Sequence, residues 1–191
     1  MNLTDSGDWG DRFDPADVTE RETVFTGRVW NVVRESATFH DDTIVREYTE
    51  HPGAVAVLVF DEHDRVLLIN QYRHPIGTRD WEIPAGLLDV EGEEPLLAAQ
   101  RELAEETDLI AEEWSAPMRI APSPGGSSEV IHLFEARGLR AAPTVHERTD
   151  EEAEIELLWV TLDEARAAVL EGRVANGILI IAILSALAKR A

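Results

Sequence analysis

The chain has 191 residues, with 17 Lys and Arg against 38 Asp and Glu, so its formal net charge is −21 at pH 7. This charge argues against nucleic-acid binding through a basic surface, because neutralising phosphates requires clustered Lys and Arg. The absence of cysteine excludes disulfides, thiol catalysis and cysteine-ligated zinc. A hydrophobic fraction of 44% is typical of a globular protein.

The first 20 residues are polar, acidic and without periodicity, so we expect a disordered tail over residues 1–20. They hold no basic stretch followed by an apolar one. The longest apolar segment, 177–188, is too short to cross a bilayer and predicts a buried helix. We therefore expect a cytoplasmic protein that has no membrane partner.

Two segments near the N-terminus predict strands. Residues 22–36 and 42–51 alternate and are rich in β-branched side chains, which favours a small antiparallel sheet. We assign this sheet to an N-terminal β-sheet domain of residues 21–50. Residues 51–191 then form a second domain.

The second domain opens with two strand signals. The apolar run 54–60 and the segment 66–73 predict the two strands of a hairpin, joined by a polar turn at 61–65. A Pro-Ala-Gly turn is expected at 84–86, and a Pro/Gly/Ser loop over 115–129.

Two strands and two helices are predicted in the second half of the chain. The strands cover residues 130–139 and 155–162. Thr161 and Glu164 form a capping-box pattern that begins one helix, and residues 176–190 predict the last.

A further helix is predicted from Pro95, which suits a first helical turn, to a position near Asp108. Its apolar side uses Leu96, Ala99 and Leu103, which are three and four residues apart.

Glu102, Glu105 and Glu106 are spaced i, i+3 and i+4 and therefore share one face of this helix. Like charges at this spacing cost about a few tenths of a kcal/mol per pair, so a helix that needs only solubility would more often interleave lysines. Their hard oxygen atoms suit Mg²⁺ or Mn²⁺. The alternative is a solvated acidic helix in an acidic protein. Arg101 could hold one carboxylate by a bidentate bond, and Glu93 suits the positive start of the helix.

This segment resembles the Nudix box of the Nudix hydrolases, which reads Gly, five residues, Glu, seven residues, Arg-Glu-apolar-x-Glu-Glu-x-Gly-apolar. Gly86, Glu93 and Arg101 match the box, and "RELAEETDL" supplies the rest through Leu109. One extra residue lies between Gly86 and Glu93, and Asp108 stands where the family has Gly. Neither departure removes a carboxylate, and Asp tolerates a left-handed helix end.

The resemblance covers roughly residues 22–187 and is closest to the ADP-ribose pyrophosphatase branch, particularly its actinobacterial members. It is carried by "REYTEHPGAVAVLVF", "QYRHPIG", "WEIPAGLLD" and "SPGG", and by Pro124, which stands fifteen residues past Leu109. It implies an α+β fold, in which a Nudix α/β/α sandwich with a mixed sheet accompanies the small N-terminal antiparallel sheet.

The resemblance also implies the reaction, which is metal-dependent hydrolysis of the pyrophosphate of ADP-ribose to AMP and ribose 5-phosphate. The cofactor would be Mg²⁺ or Mn²⁺. The implied ligands are the carboxylates of Glu102, Glu105 and Glu106 and the backbone carbonyl of Ala85. Arg101 would orient the carboxylates, so it is counted with Glu105 among the catalytic residues.

A late acidic loop often supplies the general base in this branch, and "TDEEAE" matches that loop here. Glu152 is the candidate base. Glu151 is the near rival, because an ungapped reading does not fix the register, and Glu154 is the weakest of the three. A solvated surface role is the alternative for each.

The substrate contacts implied by the resemblance are Trp30, Arg46, Glu47, Arg73, Leu87 and Glu129. Arg73 matches a phosphate contact, and a surface ion pair is its alternative. Arg46 and Glu47 match a pair that meets the adenosine half, and an exposed strand pair is their alternative. Trp30 could stack on adenine or serve as a buried structural residue.

In this branch the N-terminal sheet is typically exchanged between two subunits. Residues 22–50 are too short to bury a core alone, so we expect a homodimer. Two other functions stay open: a diphosphatase for another nucleoside diphosphate sugar, such as ADP-glucose or GDP-mannose, and a non-hydrolytic ADP-ribose sensor.

Overall fold

The computed structural model describes residues 10–146 and 154–190. The chain divides into two compact units, Met1–Glu50 and His51–Ala191. Within the part of the chain that is described, none of the helices is long and apolar enough to cross a membrane.

The first unit is a three-stranded antiparallel sheet in which the second strand is central. Its strands are β1 (Asp17–Thr26), β2 (Asn31–Phe39) and β3 (Asp42–Glu50). Because β1 begins at Asp17, the prediction of a disordered tail is wrong for residues 17–20. The strands are those of the predicted antiparallel sheet, except that residues 22–36 do not run as one strand.

The break between β1 and β2 is a tight turn that depends on Gly27. Its N–H donates to the Trp30 carbonyl at 3.2 Å. A Cβ at position 27 would collide with that carbonyl oxygen, so this approach of backbone to backbone requires glycine.

The second unit contains a mixed sheet and a separate antiparallel sheet. The strands of the mixed sheet are β4 (Ala54–Val59), β7 (Ala85–Leu87), β8 (Leu109–Trp114), β9 (Met118–Ile120) and β10 (Ile131–Ala141). Those of the antiparallel sheet are β5 (Arg65–Arg73), β6 (Thr78–Glu82) and β11 (Glu156–Thr161). The mixed sheet has the order β7-β4-β10-β8, with β9 also paired to β10, and only β4 and β10 run parallel. The antiparallel sheet has the order β11-β5-β6.

The predicted hairpin of β4 and β5 exists only at its turn. A single bridge, Phe60 to Val66, joins the two strands before they part into different sheets. The buried carboxylate of Asp61 holds the turn by accepting from the N–H groups of His63 and Arg65 at 2.9 and 2.8 Å. Separation into two sheets depends on pairings with β10 and β11, which lie far along the chain.

Three helices cover the two faces of β4. They are α1 (Pro95–Thr107), α2 (Leu162–Leu170) and α3 (Gly177–Ala188). Alternate residues of β4 point to opposite faces. Ala54, Ala56 and Leu58 pack in the core that α2 and α3 close, whereas Val55 and Val57 pack in the core that α1 closes. Both faces of the strand are therefore dry, which explains its uninterrupted apolar sequence.

Helix α1 begins at Pro95 and ends at Thr107, as predicted. Its buried apolar face consists of Ala98, Ala99 and Leu103. Leu96 was predicted on that face but is 37% exposed, because it lies in the first helical turn, before burial begins at Ala98. The capping box of Thr161 and Glu164 is present at the start of α2, also as predicted.

Two predicted irregular segments are strands. The Pro-Ala-Gly segment is not a turn, because Ala85 to Leu87 form β7 and pair with β4. The segment 115–129 contains β9, which pairs with the first residues of β10. Short edge strands like these have too few alternating residues to be detected from sequence.

Asp108 ends α1 in the left-handed conformation, with φ 56° and ψ 28°. Its N–H donates to the Ala104 carbonyl at 3.0 Å. Its side chain accepts from the N–H of His146 at 3.2 Å, and its carbonyl accepts from Ala142 N–H at 2.8 Å. The residue in the family's glycine position therefore caps the helix and also ties down the segment that follows β10.

Substitution of Asp108 should separate these two roles. Asp108→Asn keeps the side-chain acceptor and tolerates the backbone, so the free energy of unfolding should change by less than about 0.5 kcal/mol. Asp108→Gly keeps only the backbone role and should lose about 1 kcal/mol. Asp108→Ala loses both and should lose about 2 kcal/mol. Urea unfolding measures all three, and equal losses for Gly and Ala would contradict the backbone role.

Candidate active site

The backbone of Ala85 faces the open edge of the mixed sheet. Strand β7 lies at that edge beside β4, and the Val57 N–H donates to the Pro84 carbonyl at 2.8 Å. Bonded and non-bonded pairs alternate in an antiparallel ladder, so the next pair, Ala85 with Ala56, is non-bonded. The N–H and the carbonyl of Ala85 therefore both point away from β4.

Glu106 meets Ala85 at this edge. Its Oε2 accepts from the Ala85 N–H at 3.0 Å, and the residue is only 4% exposed. A buried carboxylate is expensive unless it is hydrogen-bonded, so this contact fixes the last turns of α1 against β7. The Ala85 carbonyl lies on the same edge as the Glu106 carboxylate, as required of two ligands of one cation.

Gly86 makes room for Glu102. A Cβ built on Gly86 would overlap all three atoms of the Glu102 carboxylate group. Glycine is therefore needed here for a close approach between strand and side chain, and its conformational freedom is not the reason. The glycine that begins the box and the first glutamate of the predicted ligand set are in direct contact.

Arg101 joins three carboxylates of the segment into one network. It donates from Nε and Nη2 to Glu93 at 3.2 and 2.9 Å, and from Nη1 to Glu102 at 2.6 Å and Glu105 at 3.3 Å. The hydrogen bonds from Arg101 lower the pKa of Glu93, and those to Glu93 and the charge of Glu102 raise the pKa of Arg101. These hydrogen bonds restrict the orientation of the three carboxylates, and a catalytic role of Arg101 stays a prediction.

Arg73 lies near this cluster and is held by Glu82. Its Nε and Nη2 each donate to one oxygen of the Glu82 carboxylate at 2.7 Å. The hydrogen bond to Glu82 raises the pKa of Arg73, and the negative charge of Glu106 raises it further, which places Arg73 within electrostatic range of the glutamates of α1.

Two other candidates belong to the second unit. Leu87 is the last residue of β7 and pairs with Ala54 of β4. Glu129 follows the glycine-containing loop, where its N–H donates to Ser127 Oγ at 3.1 Å and its carboxylate lies 3.7 Å from His51 Nε2. The neighbouring Ser128 accepts from the His51 N–H at 2.9 Å, so the end of this loop is attached to the start of the unit.

The adenosine candidates belong to the first unit. Trp30 is 45% exposed in the turn between β1 and β2, so the alternative of a buried structural Trp is wrong. On β3, Glu47 accepts from Arg34 Nε at 2.8 Å, and Arg46 donates to the carbonyl of Val45. Substrate contact by these three residues stays a prediction.

The predicted general base, Glu152, and its rival Glu151 lie outside the residues that the structure describes. Glu154 is described, and its carboxylate forms an ion pair with Arg79 at the protein surface. Assignment of the base therefore stays a prediction from sequence.

The fold and the geometry of the glutamates can be compared with known proteins. The chain matches the family model of the NUDIX domain over residues 50–178, which is more than half of its length. The chain belongs to the NUDIX family.

Two curated relatives match most of the chain. It is 40% identical over 167 residues to the ADP-ribose pyrophosphatase of Mycobacterium tuberculosis, covering 86% of this chain and 79% of that protein. It is 36% identical over 163 residues to the methanol dehydrogenase activator of Bacillus methanolicus, covering 85% and 87%. A crystal structure of an ADP compounds hydrolase superposes with a TM-score of 0.72 over 94% of this chain and 97% of the other, at 19% identity. These comparisons confirm the predicted family and the predicted α+β Nudix fold.

NUDIX hydrolases of this group depend on a divalent metal, and the donor set here fits one. The oxygen atoms of Glu102, Glu105 and Glu106 and the carbonyl of Ala85 are the hard ligands that Mg²⁺ and Mn²⁺ prefer. Within residues 10–146 and 154–190, no His, Asp or Glu side chains already converge as a metal cluster. Arg101 and the Ala85 N–H hold the glutamates instead.

Two residues of the NUDIX site were not predicted in these roles. Glu82 lies in the segment "WEIPAGLLD" that carries the family resemblance, and no spacing rule connects it with Arg73. Glu93 was assigned to the helix start, where it precedes the N-cap residue Glu94, but its carboxylate pairs with Arg101. The box pattern was the available signal for this pair, since it contains both Glu93 and Arg101 at a fixed spacing.

Replacement of Gly86 tests the packing of the NUDIX box. Gly86→Ala should displace the Glu102 carboxylate and weaken Mn²⁺ binding at least tenfold, measured by electron paramagnetic resonance titration, because one charged ligand is lost. Gly177→Ala is the matched control, since a Cβ there meets nothing within 4 Å. Unchanged Mn²⁺ affinity in Gly86→Ala would exclude Glu102 from the metal site.

Proposed function

We propose that this protein hydrolyses the pyrophosphate bond of ADP-ribose to AMP and ribose 5-phosphate, with Mg²⁺ or Mn²⁺ as cofactor. The observation that carries the proposal is the contact of Glu106 with the Ala85 N–H, which brings the glutamate face of α1 to the open edge of β7. The relative with 40% identity is an ADP-ribose pyrophosphatase, which supports the choice of substrate.

The metal would be held by Glu102, Glu105, Glu106 and the Ala85 carbonyl. When bound, a divalent cation supplies charge neutralisation of the pyrophosphate and a lower pKa of its bound water. Arg101 donates to Glu102 and Glu105 and would hold both carboxylates for the metal. A protein with a net charge of −21 needs this neutralisation, because its own field repels an anionic substrate.

Residues of both units are candidates for holding the substrate. Arg73 offers a fixed guanidinium for a phosphate. Leu87 would contact the substrate, and Glu129 would approach the terminal ribose or a metal. Trp30, Arg46 and Glu47 would contact the adenosine half. Glu152 is proposed as the general base, with Glu151 as its alternative.

Hydrolysis of ADP-ribose should be direct and dependent on Glu106. Purified protein with Mg²⁺ should release AMP and ribose 5-phosphate, and Glu106→Gln should lower kcat by at least about a thousandfold, the scale expected when electrostatic stabilisation of the reacting group is lost. The glutamine can still accept from the Ala85 N–H, so the Tm should stay close to that of the wild type. Coupled detection of AMP measures the rate.

The matched control is Glu94→Gln, because Glu94 is exposed and its side chain makes no cap hydrogen bond. Its kcat should equal that of the wild type. The same assay with ADP-glucose and GDP-mannose separates the alternatives, since a higher kcat/KM for either sugar would replace ADP-ribose as the substrate. Binding of ADP-ribose without release of AMP would indicate the sensor.

We also propose that the protein is a homodimer assembled through the first unit. All ten residues of β1 are exposed, and only Val33 and Ala37 of this sheet are buried. Apolar side chains remain on the surface of the unit, among them Phe25, which is 63% exposed, and Val45, which is 52% exposed. A patch of this kind marks an interaction surface, and a second copy of the chain is the occupant the family resemblance implies.

Light scattering after size exclusion tests the dimer. The wild type should have twice the mass of the chain, and Phe25→Asp should convert it to a monomer, since a charge in a dry interface is costly. Glu20→Gln, on the same exposed strand, is the control and should remain dimeric. A monomeric wild type at micromolar concentration would contradict the proposal.

A further inference from the structure

Glu82 is a buried carboxylate at the end of β6, next to the site. The residue is 3% exposed, and both of its carboxylate oxygens accept from Arg73 at 2.7 Å. The two bonds form a planar bidentate pair, which fixes the orientation of a guanidinium more firmly than one bond would. A buried carboxylate without such a partner would be costly, so the pair must be kept together.

The register shows how far the two side chains extend to meet. Arg73 lies opposite Thr78, whereas Glu82 lies opposite Ile69, and these positions share one face of the sheet. Four residues of strand separate them, which is roughly 13 Å. The side chain of Arg73 must therefore extend along the sheet towards Glu82, which precedes β7 in the chain.

Pairing of the strands does not need this contact. β5 and β6 are already held by a ladder that runs from Arg73 with Thr78 to Ile69 with Glu82. The contact instead fixes one long side chain beside the glutamates of α1, and Nη1 stays at the end of the guanidinium away from Glu82. The Glu106 charge acts on Arg73 in this position.

We propose that Glu82 is a positioning residue that holds Arg73 in place to bind a phosphate of the substrate. This inference rests on the proposed function, because it requires that Arg73 contacts the pyrophosphate. Glu82 itself does not touch the substrate and acts only through the direction in which it holds the arginine.

A double-mutant cycle tests this dependence. Glu82→Gln should raise KM for ADP-ribose and lower kcat/KM roughly tenfold, the value of one charge-assisted hydrogen bond that no longer positions Arg73. Arg73→Ala should lower kcat/KM at least as much. In the Arg73→Ala background, Glu82→Gln should change kcat/KM by less than about twofold, because the arginine it acts on is gone.

Asp80→Asn is the matched control, since Asp80 is on the same face of β6, accepts from Thr78 Oγ1 at 2.7 Å and acts on Arg73 through its charge and not through a hydrogen bond. Its kcat/KM should match the wild type. If Glu82→Gln does not fold, Glu82→Asp replaces it, because the shorter side chain draws the carboxylate back while keeping its charge.

The outcomes distinguish the inference from the function on which it rests. Multiplicative losses in the double variant would overturn the role of Glu82 while ADP-ribose hydrolysis by the wild type still stands. A fall in Tm with unchanged kcat/KM would show that Glu82 serves only the fold. A wild type that turns over no nucleotide sugar of the panel would overturn both proposals.

Discussion

The site depends on one hydrogen bond, from the Ala85 N–H to the buried carboxylate of Glu106. It exists because β7 is an edge strand whose outward N–H groups have no partner within the sheet. A helix that carries an acceptor at the right turn satisfies that edge and is itself fixed. Once Glu106 is fixed, helical geometry places Glu102 over Gly86 and Glu105 next to it. The arrangement of the proposed metal ligands is therefore a consequence of how a sheet edge is closed.

Two arginines, Arg101 and Arg73, reduce the negative charge of the site without neutralising it. Arg101 forms ion pairs with Glu93, Glu102 and Glu105, and Arg73 forms one with Glu82. Each guanidinium donates from more than one nitrogen to carboxylate oxygens, so the orientation of both guanidiniums is defined. Net negative charge remains at the glutamate face, as suits a cation, while fixed positive groups lie at its border, as suits an anionic substrate.

The sequence was sufficient for the features that depend on neighbours within a few residues. The limits of α1, its glutamate face and the left-handed end at Asp108 follow from the helical period and from capping rules, and all were predicted correctly. The features that depend on remote pairing were not predictable. The separation of β4 and β5 into two sheets requires β10 and β11, and the strand at Ala85 requires β4. The pair of Arg73 and Glu82 needs the register of β5 with β6, which no local pattern reports.

Asp108 has a consequence for the unfolded chain as well as for the folded one. A glycine at this position would lose more backbone freedom on folding, so an aspartate that accepts the left-handed conformation reduces that entropic cost. Its side chain also closes a loop to His146, 38 residues away, with a hydrogen bond that glycine cannot make. Asp108 therefore adopts the left-handed conformation less readily than glycine would, but it gains a long-range hydrogen bond to His146. That connection ends at His146, the residue before the acidic segment 147–153, so the position of His146 is set from the C-terminal end of α1.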